Sequence, residues 1–557
     1  MTTSSKGPAL WMWVGILALH LEGCAGAPAA DAPAAGWPLT RAEASGYTET
    51  SRYDDVAAFL RAMDAASPEI HLTSYGYTYE GRPMLLAVVG APGASAEAVR
   101  ATGKTRVFMQ GNIHAGEVEG KEAALMLLRS VARGEHPAWL DQLVLLIAPN
   151  YNADGNERVN LRNREAQNGP VGGTGQRRNA QDLDLNRDAT KLETPEARSL
   201  ARLLTEYDPH VAIDMHTTDG SDHGYYLTYD LPGSPNTSPG ITRLLREELL
   251  PAVTRNVKQK YGWDFFYYGG PTPGEQAWAG DADLYKPRYT HTYFGIRNRL
   301  GILSEAYAYA TFQDRILATY RFVEEILDFV VEHGPAIRAA TAAADAESII
   351  GTQQAVRGEL VRLSDAVEIV LADVALERNP YVPERPLRQR VAGSERRVTM
   401  PHDGRIVASE TSLAPRAYVI PAPASPGAPD APGARLRASV IDRLEAHGIH
   451  YFTTQREQTF AGERFRITSS TQEQELSQVT HQLRTLTGTW EPLEQALPAG
   501  ALVVPLDQPL ARLAFVLFDP RSDDGLMAWN LLDPVLAATP PPEFYPVLRT
   551  MAEVARY

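Results

Sequence analysis

Arg106-Val-Phe-Met-Gln-Gly-Asn-Ile-His114 is an apolar run that ends in a histidine, and Ala115-Gly-Glu117 follows it at once. Three later apolar runs, over residues 143–150, 211–216 and 300–305, also end in polar residues. Short apolar runs are typical of buried strands, and the helical patterns between them indicate an α/β layer architecture. In open α/β sheets the ligand site lies beyond the carboxyl ends of the strands, so we expect these polar residues to lie together.

Length and composition fit a globular protein of several domains. The chain has 557 residues, of which 44% are hydrophobic, and this allows roughly two to four domains with buried cores. It holds 53 Lys and Arg against 68 Asp and Glu, a net charge of −15, so no nucleic-acid partner is expected. The charge is spread along the chain, which is more typical of a soluble surface than of a binding segment.

The N-terminus predicts export. Lys6 precedes the apolar run 9–21, which is shorter than a comfortable membrane span. Leu21-Glu-Gly-Cys24 follows and contains the only cysteine of the chain, a pattern that resembles a bacterial lipoprotein signal with a lipid anchor at Cys24. The alternative is an ordinary secretory signal cut near Ala27, which would give a periplasmic or secreted protein. In either case the mature chain can form no intramolecular disulfide, so its stability must come from packing.

Composition and hydrophobic patterning divide the chain into five parts. These are a lipoprotein-like signal (1–24), a tether rich in Ala, Pro and Gly (25–40), an α/β domain (41–335), a helical connection (336–365) and a smaller mixed α/β or β-rich C-terminal region (366–557). Helices are expected over residues 54–63, 119–131, 316–330, 340–363 and 435–447. Strands are expected over residues 72–77, 84–89, 367–374, 397–408, 449–453, 502–505 and 513–518, and a linker over 421–432.

Histidines and a glutamate near the ends of these runs predict a metal site. Catalytic zinc takes three protein ligands from His, Glu, Asp or Cys and leaves a fourth position for water or substrate. His114 and Glu117 lie three residues apart in a Gly-containing turn, so both side chains can face one ion. His216 is the favoured third ligand because it ends a buried strand. His223, in a polar loop, is the alternative, whereas His210 is expected at the opposite end of the sheet.

Glu305 ends the last of the four apolar runs, where a carboxylate could act as a base. A metal-activated water needs a base to take its proton and then a donor for the leaving nitrogen. One carboxylate beside the metal can serve both steps in turn, so the pattern predicts a metal-dependent hydrolase. The alternative is a structural carboxylate paired with Arg297 or Arg299.

The segment Arg177-Arg-Asn-Ala-Gln-Asp-Leu-Asp-Leu-Asn-Arg187 is rich in groups that bind carboxylates. Arg187 can hold a carboxylate through two parallel hydrogen bonds, and Asn186 can add a third donor. A second arginine of the segment could polarise a carbonyl and stabilise its oxyanion. The alternative is a solvated charged loop.

Six segments occur together in an order that resembles the zinc carboxypeptidase family of the carboxypeptidase A type. All six lie within about residues 45–335, which is over half of the chain. They are Tyr79-Glu-Gly-Arg-Pro83, His114-Ala-Gly-Glu117, Pro149-Asn-Tyr-Asn-Ala-Asp-Gly155, Asp184-Leu-Asn-Arg187, Asp214-Met-His216 and the strand that ends in Glu305. Each segment alone is a weak signal, whereas the ordered set is specific.

This resemblance implies a fold and a metal centre. The fold is an α/β structure with a mixed, mostly parallel eight-stranded sheet and helices on both faces. One zinc ion per chain would be held by His114, Glu117 and His216, and Glu305 would be the general base and then the general acid.

The resemblance also implies how a peptide would be held. Asn186 and Arg187 would bind the terminal carboxylate of the substrate. Arg177 matches the position of the arginine that polarises the scissile carbonyl, and Arg178 is a near alternative. The family also has a mobile tyrosine upstream of the catalytic glutamate, for which spacing favours the first of three candidates: Tyr285, Tyr289 and Tyr293.

One departure from the family pattern concerns the pocket. Asp188 and Ala189 follow Arg187, where the family has Asn and an aromatic residue, so the pocket floor is expected to differ while the carboxylate clamp is kept. The sequence does not assign the residue that contacts the terminal side chain.

Together these observations predict an exported, lipid-anchored zinc carboxypeptidase that acts on peptides with a free C-terminal carboxylate. Two alternatives keep the same fold. One is a peptidase for cell-wall peptides that end in diaminopimelate, and the other is a lipoprotein binding module without catalysis. Membrane contact is expected only through a lipid on Cys24, and residues 366–557 receive no functional assignment.

Overall fold

The computed structural model of the chain describes Met1, residues 36–422 and residues 431–557. The predicted signal after Met1, the lipid site at Cys24 and the tether up to residue 35 lie outside the described residues, as does the linker segment 423–430. Among the described residues, no helix has both the length and the apolar character that a membrane crossing requires.

The first part of the described chain alternates helices and strands. Its helices are α1 (Arg41–Ala44), α2 (Tyr53–Ala66), α3 (Ala96–Ala101), α4 (Glu119–Ala132), α5 (Pro137–Gln142), α6 (Ala153–Glu157), α7 (Pro195–Tyr207), α8 (Pro239–Arg243), α9 (Leu250–Tyr261), α10 (Thr290–Ile296) and α11 (Phe312–Ala346). Its strands are β1 (Ile70–Tyr77), β2 (Pro83–Val89), β3 (Thr105–Gly111), β4 (Leu143–Ala148), β5 (Val211–Thr217), β6 (Leu227–Asp230), β7 (Phe265–Tyr267), β8 (Gly270–Pro271), β9 (Trp278–Ala279) and β10 (Leu300–Ala306).

Eight of these strands form one mixed sheet in the order β1-β2-β4-β3-β5-β10-β6-β7. Neighbours are parallel in four pairs (β4 with β3, β3 with β5, β5 with β10, β6 with β7) and antiparallel in three (β1 with β2, β2 with β4, β10 with β6), so the sheet is mostly parallel. This confirms the predicted fold class.

Both faces of this sheet are covered, which explains why its central strands are continuous apolar runs. Every residue of β3, β4 and β5 is buried. Along β3, Val107 and Met109 belong to the core that contains residues of α2, α4, α9 and α11. Phe108, which points to the opposite face, belongs to the core that contains residues of α3, α7 and α10.

The second part of the chain is rich in strands, as predicted. Its strands are β11 (Gln353–Arg362), β12 (Val367–Leu371), β13 (Val374–Glu377), β14 (Leu387–Arg390), β15 (Arg396–Met400), β16 (His402–Leu413), β17 (Ala417–Ile420), β18 (Phe452–Thr453), β19 (Gln458–Gln472), β20 (Arg484–Leu497), β21 (Leu502–Pro505) and β22 (Leu548–Thr550). Its helices are α12 (Pro432–His447), α13 (Ala511–Phe518) and α14 (Asp533–Leu536). Six of the strands form one sheet in the order β18-β21-β17-β22-β19-β20.

Two predictions of secondary structure were wrong in this region. The helical connection predicted over 336–365 is helical only to Ala346, where the 35-residue helix α11 ends, and Gln353–Arg362 is strand β11, which pairs with β16. The strand predicted over 513–518 is part of helix α13. Every residue of α13 is buried, so its sequence lacks the polar face that would have indicated a helix.

The two parts of the chain share one apolar core. Leu200 of α7, Leu436 and Val440 of α12 and Phe515 of α13 belong to the same buried cluster. The C-terminal region therefore packs against the helix that covers one face of the eight-stranded sheet, on the side of the molecule from which residues 184–187 approach the strand ends.

Candidate active site

The polar residues that follow the apolar runs meet at the carboxyl ends of three neighbouring parallel strands. His114 and Glu117 lie in the turn between β3 and α4, His216 lies near the end of β5, and Glu305 lies near the end of β10. In the parallel register of β5 and β10, His216 is paired directly with Glu305. The sheet topology thus delivers all four side chains to one edge, as expected for an open α/β sheet.

Three of these side chains face one another closely enough to hold a metal ion. The Nδ1 atom of His114 lies 2.9 Å from Glu117 Oε1, and the Nδ1 atom of His216 lies 2.8 Å from Glu117 Oε2. One ligand atom from each of the three residues lies within 4.8 Å of the other two, and no other such group occurs in the parts of the chain that the structure describes.

Two carboxylates outside this group orient the imidazoles. Asp184 Oδ1 lies 3.0 Å from His114 Nε2, and Asp214 Oδ2 lies 3.0 Å from His216 Nε2. Each imidazole thus has a carboxylate near both of its nitrogens, and an Nε2–H directed at the aspartate would leave Nδ1 for a metal ion bound between the histidines and Glu117. Histidine ligands of metal sites are held in this way, with the second nitrogen donating to a carboxylate.

The electrostatics of the group also suit a cation. Burial alone would raise the pKa of Glu117, but His114 and Arg164 outweigh it and hold that pKa well below its ordinary value. Glu117 is therefore ionised, as a carboxylate ligand of a metal ion has to be. Two imidazoles and one carboxylate are a donor set that zinc takes in catalytic sites, so the residues fit this metal.

Glycines allow the turn that carries His114 and Glu117 to sit tightly on the sheet. A Cβ atom on Gly120, in the first turn of α4, would lie 2.5 Å from Met215 Cβ of β5. A Cβ atom on Gly111, at the end of β3, would lie 2.8 Å from the Gly120 backbone. Only glycine permits this close approach, which fixes α4 against the two strands that carry the histidines.

Glu305 lines the same site as His114, Glu117 and His216 and forms no salt bridge among the described residues. Its Oε2 atom is buried and has no hydrogen-bond partner among the described residues. Burial raises the pKa of Glu305 to about 8, the negative charge of Glu117 adds to the rise, and His216 opposes it. The alternative in which Glu305 pairs with an arginine does not hold, because Arg299 pairs with Asp208 and Asp345, and Arg297 donates to Tyr293, His447 and Thr205.

A cavity of about 130 Å³ opens at this edge of the sheet. It is lined by both histidines, Glu117 and Glu305, and also by the remaining residues that the sequence singled out for substrate binding: Arg177, Asn186 and Arg187. Arg178, the alternative to Arg177, is exposed and pairs with Asp182.

The Arg177 guanidinium lies between Asp184 and the group of candidate ligands. Its Nε atom donates to Asp184 Oδ2 over 2.9 Å. Its Nη1 atom lies 3.6 Å from Glu117 Oε1 and 3.3 Å from His114 Nδ1, on the cavity side. An arginine in this position can donate to an oxygen bound next to the metal ligands.

Asn186 and Arg187 both line the cavity, and the Arg187 Nη1 atom donates to the Asn186 carbonyl over 2.9 Å. Asn186 Oδ1 accepts hydrogen bonds of 2.9 Å from both the backbone N–H and the hydroxyl of Thr290, which leaves the Nδ2 donor on the other side of the amide. Arg187 lies over the ring of Tyr289, 4.2 Å from its centroid. Within the described chain, no carboxylate lies within 4.0 Å of the Arg187 guanidinium.

The three candidate tyrosines have different surroundings. Tyr289 lines the cavity beside Arg187. The hydroxyl of Tyr285, which spacing favoured, donates to Asp523 of the C-terminal region, and the hydroxyl of Tyr293 is buried 2.8 Å from His447 Nδ1. Tyr268, which sequence reasoning missed, also lines the cavity.

Asp188, where the sequence departs from the family pattern, does not line the cavity. It accepts hydrogen bonds from Lys191 Nζ over 2.6 Å, from the Thr194 backbone N–H over 2.8 Å and from the Thr194 hydroxyl over 2.7 Å. Asp188 therefore fixes the chain between Arg187 and α7, and the cavity wall is supplied instead by residues of 281–291 and by Leu303.

The alternative histidines lie away from the ligand group. His223 is buried among Tyr225, Trp278 and Tyr307, and burial lowers its pKa to about 3. His210 accepts a hydrogen bond from the Arg106 backbone at the opposite end of β5.

Arg164 was also missed by sequence reasoning. Its Nη1 atom lies 3.1 Å from Glu117 Oε1, and its Nη2 atom donates to the carbonyls of Thr217 and Thr218. Arg164 lies in a loop without periodicity, so the sequence offers no signal for its position.

The C-terminal region contacts the frame of the site. Gln478 Oε1 accepts a hydrogen bond of 2.9 Å from the backbone N–H of Asp184. Asp524 Oδ1 accepts a hydrogen bond of 2.6 Å from Arg288 Nε, two residues before Thr290. The region that received no functional assignment from the sequence thus supports both sides of the cavity.

The chain is similar in sequence to known carboxypeptidases. The zinc carboxypeptidase family model matches residues 56–222, a span that contains all three candidate ligands. Carboxypeptidase 2 of Trichophyton rubrum is 24% identical over 514 residues, which cover 89% of this chain and 86% of that protein. Carboxypeptidase 2 of Trichophyton tonsurans is 25% identical over 468 residues, with coverages of 80% and 76%. A metallo-carboxypeptidase structure from Burkholderia cenocepacia aligns with a TM-score of 0.37 and 20% identity, over 50% of this chain and 69% of that one.

Proposed function

Since residues 56–222 match the zinc carboxypeptidase family and the chain is similar to proteins named carboxypeptidase, we propose that it is a peptidase that removes single residues from the C-terminus of peptides. One observation carries the proposal. Asn186 and Arg187, whose guanidinium has no carboxylate partner among the described residues, line the same small cavity as the His114, Glu117 and His216 group and Glu305. A substrate held there by its terminal carboxylate has its last peptide bond within reach of the metal ligands.

The metal is one zinc ion per chain, which would be held by His114 Nδ1, a Glu117 carboxylate oxygen and His216 Nδ1. When bound, zinc supplies the activation of a water molecule and the polarisation of the scissile carbonyl. Asp184 and Asp214 keep both imidazoles in the tautomer that such binding needs.

Arg187 and Asn186 select the end of the chain. The planar guanidinium donates two parallel hydrogen bonds to the terminal carboxylate, and Asn186 Nδ2 donates a third. An internal peptide segment has no such carboxylate and cannot form these three hydrogen bonds. The enzyme is therefore an exopeptidase.

Glu305 moves the proton. It accepts a proton from the attacking water as the oxygen–carbon bond forms at the last peptide carbonyl. It then donates that proton to the nitrogen as the carbon–nitrogen bond breaks, so the products are a shortened peptide with a new carboxylate and one free amino acid. Arg177 Nη1 stabilises the negative charge that develops on the carbonyl oxygen.

The test is a panel of peptides that each occur with a free C-terminal carboxylate and with a C-terminal amide. Mass spectrometry should show release of one residue at a time from the free acids alone. Chelation should stop this release and zinc should restore it. Internal cleavage, or equal cleavage of the amides, would contradict the role of Asn186 and Arg187. A wall peptide that ends in diaminopimelate belongs in the same panel, because its cleavage alone would assign the narrower wall-peptidase function.

We also propose that the protein is exported and anchored by a lipid on Cys24. The support is the N-terminal pattern, which lies outside the described residues. Incorporation of labelled palmitate into the chain, and its loss in Cys24→Ser, would support the anchor. A secreted protein without label would instead favour cleavage near Ala27. The two Trichophyton relatives named above are fungal, and the bacterial origin of this chain remains a prediction.

A further inference from the structure

His291 is a buried polar side chain in the cavity wall that the proposed mechanism does not use. It lies in α10, directly after Thr290, and its relative exposure is 0%. It lines the same cavity as Asn186 and Arg187. Neither of its ring nitrogens has a hydrogen-bond partner within the part of the chain that the structure describes.

An unpartnered buried imidazole is unfavourable unless something else supplies its hydrogen bond. Burial lowers the pKa of His291 to about 3, with a smaller opposing effect of Asp214 and a further lowering by His216. At neutral pH the ring is therefore uncharged and offers one donor and one acceptor. The missing partner has to enter through the cavity.

His291 lies next to the residues that would bind the terminal carboxylate of the substrate. The backbone N–H and the hydroxyl of Thr290 bind Asn186 Oδ1, so His291 is the next residue after the one that orients the carboxylate clamp. Leu284 and Leu303 are buried and line the same cavity. A terminal side chain that extends from the clamped carboxylate thus meets two leucines and one neutral imidazole, in a cavity that Asp281 also lines.

We propose that His291 binds the terminal side chain of the substrate, and that the enzyme prefers terminal residues with a neutral hydrogen-bonding group over apolar residues of the same shape. This inference rests on the proposed carboxypeptidase function. A site that is built to form a hydrogen bond discriminates strongly against an analogue that lacks the group, because the buried partner is then left unpaired.

The experiment compares kcat/KM for peptides that differ only in the last residue, in the shape-matched pairs Tyr with Phe, Gln with Leu, and Thr with Val. The wild-type enzyme should favour the polar member of each pair by about tenfold or more, the effect of one unpaired buried group. His291→Leu should remove this preference or reverse it, since leucine completes an apolar wall. His291→Asn, which keeps a donor and an acceptor, should retain a preference for the polar members.

His402→Leu is the matched control. His402 is also a buried histidine whose Nε2 atom has no partner among the described residues, but it lies outside this cavity. The control should keep the wild-type ratios, which separates loss of specificity from a general effect of removing a buried imidazole. Equal wild-type rates within all pairs, or a preference for Lys, Arg or Glu, would overturn the role of His291 while leaving the carboxypeptidase proposal in place. No release from any peptide would overturn both.

Discussion

Asp184 Oδ1 lies 3.0 Å from His114 Nε2, the ring nitrogen that points away from Glu117. Asp214 stands in the same relation to His216. Neither aspartate belongs to the group of candidate metal ligands. Each can hold its histidine ring in the orientation that directs the other nitrogen at the metal.

We expect Asp214→Asn to weaken zinc binding by roughly 10- to 100-fold, because an amide orients the ring less strongly than a carboxylate does. Competition with a chromogenic chelator measures this affinity. His223→Ala serves as the comparison, since His223 is a buried histidine of the same region that lies outside the ligand group. If His223→Ala loses zinc and Asp214→Asn does not, the assignment of His216 as a ligand fails.

Replacement of Glu305 by Gln should lower kcat by roughly 10²- to 10⁴-fold, the range of general acid–base catalysis, and should leave one zinc per chain. The amide keeps the shape of the side chain but cannot take a proton. Single-residue release and metal content are measured on the same sample. Glu325→Gln is the control, because Glu325 is a buried carboxylate that pairs with Lys260 far from the cavity. Turnover that survives in Glu305→Gln would remove its role as base.

Arg187→Lys should lower kcat/KM for peptides with a free carboxylate by about 10- to 100-fold. Lysine keeps the charge but cannot form the two parallel hydrogen bonds, and it loses the stacking on Tyr289. Most of the change should appear in KM. The exposed Arg178 provides the matched Arg178→Lys variant, whose kinetics should equal those of the wild type. If Arg178→Lys lowered kcat/KM and Arg187→Lys did not, Arg178 rather than Arg187 would bind the terminal carboxylate.

Glu196 should make stability depend on pH. It is buried at the start of α7, and burial raises its pKa to about 7, above the ordinary 4.5. The folded state therefore binds this proton more tightly than the unfolded state does. The resulting stabilisation is complete below pH 4.5 and is lost as pH rises through about 7.

The variant Glu196→Gln stays neutral at every pH, so its Tm relative to the wild type should increase between pH 5 and pH 8. Thermal unfolding of both proteins across that range measures the difference. The exposed Glu97→Gln should show a constant difference instead. A Tm gap for Glu196→Gln that stays constant from pH 5 to pH 8 would mean that the glutamate is ionised in the folded state throughout.

The sequence was informative where the structure depends on local pattern. The apolar runs predicted β3, β4, β5 and β10 because strands buried on both faces contain few polar residues. The same runs predicted that His114, His216 and Glu305 lie at one edge, since parallel strands end together.

Contacts made by irregular segments could not be predicted. Arg164 reaches Glu117 from a loop, and Tyr268 enters the cavity between two short strands. His291 carried no signal, because a histidine in a short helix is usually an ordinary surface or core residue. Helix α13 was mistaken for a strand for a related reason, as complete burial removes the periodicity that distinguishes the two.

The hydrogen bond from Asp184 to Gln478 joins residues that lie 294 positions apart in the chain. A ribosome has to make most of the molecule before this bond can form. The aspartate that orients a proposed zinc ligand therefore gains its last partner late in synthesis. The proposed active site therefore cannot be complete until residue 478 has been synthesised. A shorter chain would lack one of the hydrogen bonds that hold Asp184 in place.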